Sequence, residues 1–247
     1  MGTRSVVRFP LVSVNGTFDD CQQMVKKAFT DKDLNNELNL TSANSINIAR
    51  WLPQMFYYFF AIKNLKTFNK KIVFSVPSGN FGNICAGAIA MKLGLPIDQF
   101  VASTNSNDTI PRYLSSKNYK PKKTIPTISN AMDVSNPSNF IRIEEIYQDF
   151  NQLKNSFSSY SFDDDKTINA VKSVYKNSNY IVDPHGAVGY LGLKKFLANK
   201  TDFIGVFLET AHPITFSNHI ENELNLKLKI PHSISKILNK EKIYTDV

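Results

Sequence analysis

The sequence reads Ile72-Val-Phe-Ser-Val76 and continues as Pro77-Ser-Gly-Asn-Phe-Gly-Asn83. The first part is a mainly apolar run, which is typical of a β-strand that is buried on both faces. The second part is a turn whose two glycines allow a tight change of direction. Small residues then dominate positions 84–93, so we expect a helix that packs closely against the sheet. Together these segments predict a strand, a turn and a helix, with the free amide groups of the helix start at the turn.

The alternation of strands and helices continues along the rest of the chain. Apolar runs predict further strands, and apolar residues at helical spacing predict further helices. Residues 30–40 are interpreted as a polar connection, and residues 104–140, which are rich in proline, as a long irregular excursion. The alternation indicates an α/β fold whose sheet is largely parallel and carries helices on both faces. The predicted strands are 12–14, 72–76, 99–103, 180–182 and 203–208, and the predicted helices are 19–29, 46–64, 84–93, 141–154, 163–176, 186–197 and 215–224.

Composition narrows the class of protein. Of the 247 residues, 42% are hydrophobic and 20% are charged, as in ordinary globular proteins. Two cysteines, Cys21 and Cys85, are too few for a disulfide scaffold or a cysteine-rich zinc site, so we expect no metal and a cytoplasmic location. The longest apolar run, residues 55–62, is shorter than the ~18 residues of a membrane span. The net charge of +8 is spread along the chain, so we expect no nucleic-acid or membrane partner and a surface that suits an anionic small molecule.

The turn after the strand at 72–76 is the clearest candidate for a binding site. In parallel sheets ligands bind beyond the carboxyl ends of the strands, which is where residues 78–83 lie. A Gly-x-x-Gly turn alone fits an ordinary connection between a strand and a helix equally well. The added serine and two asparagines, placed between a buried strand and a helix, favour a phosphate cradle.

Five blocks of the sequence resemble one enzyme family. Ser78-Gly-Asn-Phe-Gly-Asn-Ile-Cys-Ala-Gly87 resembles the phosphate loop of threonine synthases, which are pyridoxal-phosphate enzymes of the tryptophan-synthase-β fold type. The resemblance extends from about residue 11 to about residue 225 and implies the PLP fold type II, with pyridoxal 5'-phosphate as cofactor. The other four blocks are Asn15-Gly-Thr-Phe-Asp-Asp-Cys-Gln22, Thr41-Ser-Ala-Asn-Ser-Ile-Asn47, Asn130-Ala-Met-Asp-Val-Ser-Asn-Pro-Ser-Asn-Phe140 and Glu209-Thr-Ala-His-Pro213.

The resemblance implies roles for individual residues. Backbone amides of the phosphate loop are expected to hold the cofactor phosphate, with asparagine side chains near it. The Thr210 hydroxyl is expected to contact the pyridine nitrogen of the cofactor. A polar cluster at the start of the predicted helix 46–64 is a candidate for binding the phosphate or carboxylate of the substrate. Helix capping is the alternative interpretation both for Thr210 and for this cluster, and His212 is given no role. The cofactor residues are Ser78, Gly79, Asn80, Phe81, Gly82, Asn83 and Thr210, and the substrate residues are Ser42, Asn44, Ser45, Asn47 and Arg50.

The resemblance also implies a reaction and a lysine. Members of the family are lyases that convert O-phospho-L-homoserine and water to L-threonine and phosphate, the last step of threonine biosynthesis. The lysine that carries their cofactor as a Schiff base precedes an aspartate, upstream of the block that begins here at Asn15. Asp31-Lys-Asp33 has this pattern but follows that block in a polar connection, so we do not assign it. We therefore expect an incomplete chain with little activity alone, whose partner is the amino-terminal portion of the enzyme. Residues 1–40 then belong to a smaller lobe, and residues 41–247 form the cofactor-binding domain with an inserted region at about 104–160.

Two other interpretations of the sequence stay open. One is a non-catalytic module that binds pyridoxal phosphate or phosphate alone. The other is a different enzyme of fold type II, such as a serine/threonine dehydratase. Adding an amino-terminal fragment tests the first, and comparing phosphohomoserine with serine as substrate tests the second.

Overall fold

The computed structural model describes residues 12–65, 69–236 and 245–246, which fall into two compact units. The first unit contains residues 12–39, 229–236 and 245–246, and the second contains residues 40–65 and 69–228. The strands are β1 (Val12–Ser13), β2 (Lys71–Pro77), β3 (Gln99–Thr104), β4 (Phe157–Ser161), β5 (Phe203–Phe207) and β6 (Thr245–Asp246). The helices are α1 (Phe18–Thr30), α2 (Lys32–Glu37), α3 (Trp51–Asn64), α4 (Gly82–Lys92), α5 (Thr109–Ser116), α6 (Phe140–Tyr147), α7 (Phe150–Ser156), α8 (Asp164–Ser178), α9 (Pro184–Leu197), α10 (Ser217–Leu224) and α11 (His232–Ser235).

The second unit is built on a four-stranded sheet in the order β4-β3-β2-β5, and all three strand pairs are parallel. Phe74 at the centre of β2 lies beside Phe100 of β3 and Val206 of β5, which sets the register. In the first unit, β1 pairs with β6, also in parallel. The predicted α/β fold with a largely parallel sheet is therefore confirmed.

Helices cover both faces of this sheet, as predicted. On one face, the buried rings of Phe74 and Phe100 pack against Tyr58 of α3, with 4.9 Å between the ring centroids of Tyr58 and Phe74. On the other face, Val73 and its neighbours pack against Leu193 of α9. Successive residues of β2 thus enter different cores, which explains why the whole strand is apolar.

One predicted strand is absent, and one observed strand was not predicted. Residues 180–182 form no strand, because the apolar Val182 is buried between α8 and α9 and the Asp183 side chain then caps α9. The edge position beside β3 is taken instead by β4. Its sequence, Phe-Ser-Ser-Tyr-Ser, carries too few apolar residues for its pattern to predict a strand.

Several predicted helix boundaries are also wrong. The helix predicted over 141–154 is two helices, because Gln148 adopts a φ of 65° at the end of α6 and the Asp149 side chain caps α7. Short helices occur in both segments predicted to be irregular, α2 within residues 30–40 and α5 within residues 104–140. The long aromatic helix begins at Trp51, so that Pro53 lies in its first turn, where proline is tolerated. None of the described helices is long and apolar enough to cross a membrane.

Candidate active site

A cavity of about 730 Å³ opens at the carboxyl ends of β2 and β5 in the second unit. Its wall is formed by residues 77–84, by residues 208–210 after β5, and by Ala131 and Met132. The remaining wall comes from Ser45, Arg50, His185 and residues of α3. The cavity therefore occupies the position at which parallel α/β sheets bind their ligands.

The phosphate loop, residues 78–83, presents free backbone donors to this cavity. Phe81 adopts a left-handed φ of 63° immediately before α4, a conformation that is uncommon for a residue other than glycine. Its buried ring packs edge-on against Phe140, which holds that conformation in place. In the described part of the chain, no group accepts a hydrogen bond from the amides of residues 79–83. These amides, at the positive end of the α4 dipole, form a cradle for an anion.

The loop is packed tightly against the segment that carries Met132. A Cβ atom on Gly79 would lie 2.7 Å from the Met132 Cα and 3.0 Å from the carbonyl oxygen of Ala131. Only a hydrogen fits there without moving backbone. The glycine therefore permits the close approach of two backbone segments at the cavity.

The asparagine side chains of the loop bind the surrounding protein. The Asn80 Nδ2 donates to the Ser45 Oγ at 2.9 Å, and its Oδ1 accepts from the Ser138 amide at 2.7 Å. The Asn83 Oδ1 accepts from the Tyr58 hydroxyl at 2.7 Å. The Ser78 hydroxyl donates to the Val76 carbonyl. These side chains fix the shape of the loop and leave the backbone amides to bind the anion.

Two residues that support the loop were not singled out in the sequence. The buried Asn139 donates from Nδ2 to the Asn80 carbonyl at 2.9 Å and to the Ser45 hydroxyl at 3.2 Å. Arg142 donates to the Ile46 carbonyl at 2.8 Å, and its guanidinium lies 5.0 Å from the Trp51 ring. The only sequence signal was that Asn139 falls within the block at 130–140 that carries the family resemblance.

The structure divides the predicted substrate cluster. Ser45 and Arg50 line the cavity. Ser42, Asn44 and Asn47 are not part of its wall and form a local turn, in which the Asn44 amide and the Asn47 side chain donate to Ser42. Asn47 also caps the short 3-10 turn that precedes α3.

Thr210 lines the same cavity, three residues after the end of β5, and is exposed. Two titratable residues beside it, Glu209 and His185, also line the cavity and were not predicted as site residues. Burial, and then the hydrogen bond and charge of Asp183, raise the pKa of Glu209 to about 8. His212, given no role from the sequence, caps the turn that begins at Pro213 by accepting from the Ile214 amide.

No lysine lines the cavity among the residues that the structure describes. Lys32, between the two aspartates considered above, is exposed at the start of α2 in the first unit. Nor do three His, Cys, Asp or Glu side chains come together as metal ligands in the described ranges.

Comparison with known proteins identifies the class. Residues 5–203 match the family model described as pyridoxal-phosphate dependent enzyme, and the chain belongs to this family. The cavity fits such a cofactor, because unpartnered amides at a helix start suit its phosphate and the Thr210 hydroxyl lies in the wall of the same cavity.

Within the family, the chain is similar to threonine synthases. It is 47% identical to the threonine synthase of Haemophilus influenzae over 226 residues, which are 91% of this chain and 52% of that protein. The crystal structure of threonine synthase from Escherichia coli matches with a TM-score of 0.91 and 41% identity, covering 96% of this chain and 55% of that chain. The structure of PLP-bound threonine synthase from Brucella melitensis matches with a TM-score of 0.82 and 30% identity, covering 96% and 56%. The fold is thus PLP fold type II, and the chain spans about half the length of the relatives that it matches.

Proposed function

We propose that this chain supplies the cofactor-phosphate and substrate sites of a threonine synthase, which converts O-phospho-L-homoserine and water to L-threonine and phosphate. The observation that carries the proposal is the cavity itself, where the free amides of residues 79–83 share a wall with Arg50 and Thr210. The similarity to threonine synthases at 41–47% identity supports this reaction over that of a dehydratase.

The two ends of the cofactor would be held by different parts of the chain. The amides of residues 79–83 would bind its phosphate at the start of α4. The Thr210 hydroxyl would donate to its pyridine nitrogen, and a neutral donor leaves that nitrogen unprotonated. When bound, pyridoxal phosphate withdraws electrons from the reacting carbon atoms of the substrate.

The substrate phosphate or carboxylate would be bound by Arg50, whereas the Ser45 hydroxyl is engaged by Asn44, Asn80 and Asn139. Arg50 is the only arginine or lysine in the described wall of the cavity. Its planar guanidinium is suited to bidentate binding of either anionic group. We propose no contact with substrate for Ser42, Asn44 and Asn47, which hydrogen-bond within their own turn.

We further propose that the lysine which carries the cofactor comes from a segment corresponding to the part of the relatives that this chain does not match. The absence of lysine from the described cavity wall supports this. So does an apolar face on α3, where Leu52, Phe56 and Phe59 are 59%, 57% and 40% exposed. A contiguous exposed apolar face of this kind is typical of a surface that another segment covers.

The test is an assay of the purified chain with pyridoxal phosphate, with and without the amino-terminal half of the Haemophilus influenzae relative. We expect release of phosphate and formation of threonine only when both parts are present. Turnover of serine in place of O-phospho-L-homoserine would contradict the proposed reaction. Turnover by the chain alone, with one lysine fixed to the cofactor by borohydride, would contradict the proposed origin of the lysine.

The second candidate function is a module that binds the cofactor without catalysis, which the cavity wall without lysine also fits. This non-catalytic function would be favoured if the amino-terminal half of the relative did not restore turnover while the chain still bound pyridoxal phosphate saturably. For either function we propose a cytoplasmic location, since both cysteines, Cys21 and Cys85, are free thiols.

A further inference from the structure

A buried aspartate caps the amino-terminal end of helix α9 beside the cavity. Asp183 is fully buried, and its Oδ1 accepts from the His185 amide at 2.7 Å and from the His185 Nδ1 at 2.8 Å. Burial opposes ionisation of Asp183, but hydrogen bonds from His185 and Glu209 outweigh it and lower the pKa of the aspartate. Asp183 is therefore the ionised member of this group of side chains.

Glu209 folds back onto the same helix start. Its Oε1 accepts from the Asp183 amide at 2.9 Å. The carboxyl group lies directly over Gly186, where an added Cβ would be 2.8 Å from the Glu209 Cδ and 2.7 Å from a methyl group of Val182. The glycine thus allows a carboxyl group to be enclosed against the first turn of α9.

Each carboxyl group has a second oxygen that needs a partner. The Asp183 Oδ2 and the Glu209 Oε2 are both buried, and neither has a hydrogen-bond partner among the described residues. Two ionised carboxylates in this position would repel each other at low dielectric. A single proton held between the two oxygens satisfies both.

The other titratable groups around the pair do not remove the need for that proton. Tyr180 lies on the approach to α9, and burial together with the charges of Glu209 and Asp183 raises the pKa of its phenol. The His185 ring contacts Asp183 through Nδ1 and packs against Phe216, with 5.0 Å between ring centroids. No lysine or arginine in the described ranges forms an ion pair with Glu209.

We infer that Glu209 and Asp183 share one proton between these two oxygens, and that this acid pair positions Thr210 at the cofactor site. The second half of the inference rests on the proposed function of Thr210. Glu209 immediately precedes Thr210, so the hydrogen bond that Glu209 accepts from the Asp183 amide, together with the shared proton, fixes the backbone that carries the Thr210 hydroxyl. A neutral Glu209 also keeps a second negative charge away from the pyridine nitrogen.

A shared proton makes both the stability of the folded chain and its affinity for the cofactor depend on pH. The folded state holds the Glu209 proton more tightly than the unfolded state, in which a glutamate has a pKa near 4.5. The folded state is therefore stabilised by this group at low pH, and that contribution is lost as pH rises from about 4.5 to about 8. Loss of the proton breaks the hydrogen bond between the two carboxyl groups and leaves two carboxylates that repel each other. The affinity for pyridoxal phosphate should therefore fall as pH rises through about 8.

The direct test is carbon-13 NMR of the chain labelled at glutamate carboxyl carbons, without cofactor. We expect one carboxyl to titrate near pH 8, to be missing in Glu209→Gln and to remain in Glu145→Gln, an exposed glutamate on α6 that serves as the matched control. If all glutamates titrate below about pH 6, where ordinary ones do, the shared proton is disproved. Because no cofactor is present, this result stands whether or not the proposed reaction is correct.

A second measurement tests the positioning of Thr210. Glutamine at position 209 is neutral at every pH and can donate to Asp183, so we expect Glu209→Gln to bind pyridoxal phosphate equally at pH 7 and pH 9. The unaltered chain should bind at least several-fold more weakly at pH 9. If Glu209→Gln does not fold, Asp183→Asn serves instead, and the glutamate should then titrate at lower pH. Equal loss of affinity at pH 9 in Glu209→Gln and in the unaltered chain would overturn the positioning role.

Discussion

The residues of the phosphate loop show what a sequence pattern can and cannot reveal. Residues 78–83 and Thr210 all line the cavity, as their positions after β2 and β5 predict. The pattern did not reveal that Asn80 and Asn83 bind protein groups. It also missed Asp183 and Glu209, because the two residues are 26 positions apart and only the fold brings them together.

Substitution of Arg50 tests its proposed role in binding the substrate. Replacing Arg50 with glutamine would remove the proposed charge-assisted hydrogen bond to the substrate, worth about 1.5–3 kcal/mol, so we expect the Kd for O-phospho-L-homoserine to rise about tenfold to a hundredfold. Isothermal titration of the chain loaded with pyridoxal phosphate measures this. Lys63→Gln, which removes an exposed charge at the other end of α3, is the control and should bind normally. Equal affinities for Arg50→Gln and the control would remove Arg50 from the substrate site.

Helices and strands were predicted correctly where the residue pattern of a single segment was enough to identify them. The apolar runs of β2, β3 and β5 and the capped helices α1, α8 and α9 were placed within a few residues. The edge strand β4 was missed, because three of its five residues are serines and its pairing with β3 is a tertiary contact. The apolar run at 180–182 wrongly predicted a strand, because only Val182 is buried and it packs between helices.

One carboxylate links separate parts of the irregular connection between β3 and α6, next to the residue that packs against the phosphate loop. Asp133 follows Met132, the residue against which Gly79 packs, and accepts from Asn105, Asn107 and Thr127. We expect Asp133→Ala to destabilise the chain by about 2–4 kcal/mol, because buried donors lose their acceptor. Denaturant unfolding measures the change. Asp165→Ala, at the exposed first turn of α8, is the control, and equal stabilities of the two variants would contradict this role for Asp133.

At the scale of the whole molecule, the fold and the family could be predicted because five sequence blocks retain the order and spacing of one enzyme family. The chain spans about half the length of its relatives, and the described cavity wall contains no lysine. The sequence pattern also identified no lysine to carry the cofactor, because the family resemblance places that lysine upstream of the block that begins at Asn15.

We propose that the amides of residues 79–83 bind the phosphate of the cofactor. The most direct measurement is a spectroscopic titration of the purified chain with pyridoxal phosphate and with pyridoxal, which lacks the phosphate. We expect saturable binding of pyridoxal phosphate, at least about tenfold weaker binding of pyridoxal, and loss of that difference in Gly79→Ala, whose Cβ would lie 2.7 Å from the Met132 Cα. Equal affinity of the unaltered chain for both compounds would contradict the claim.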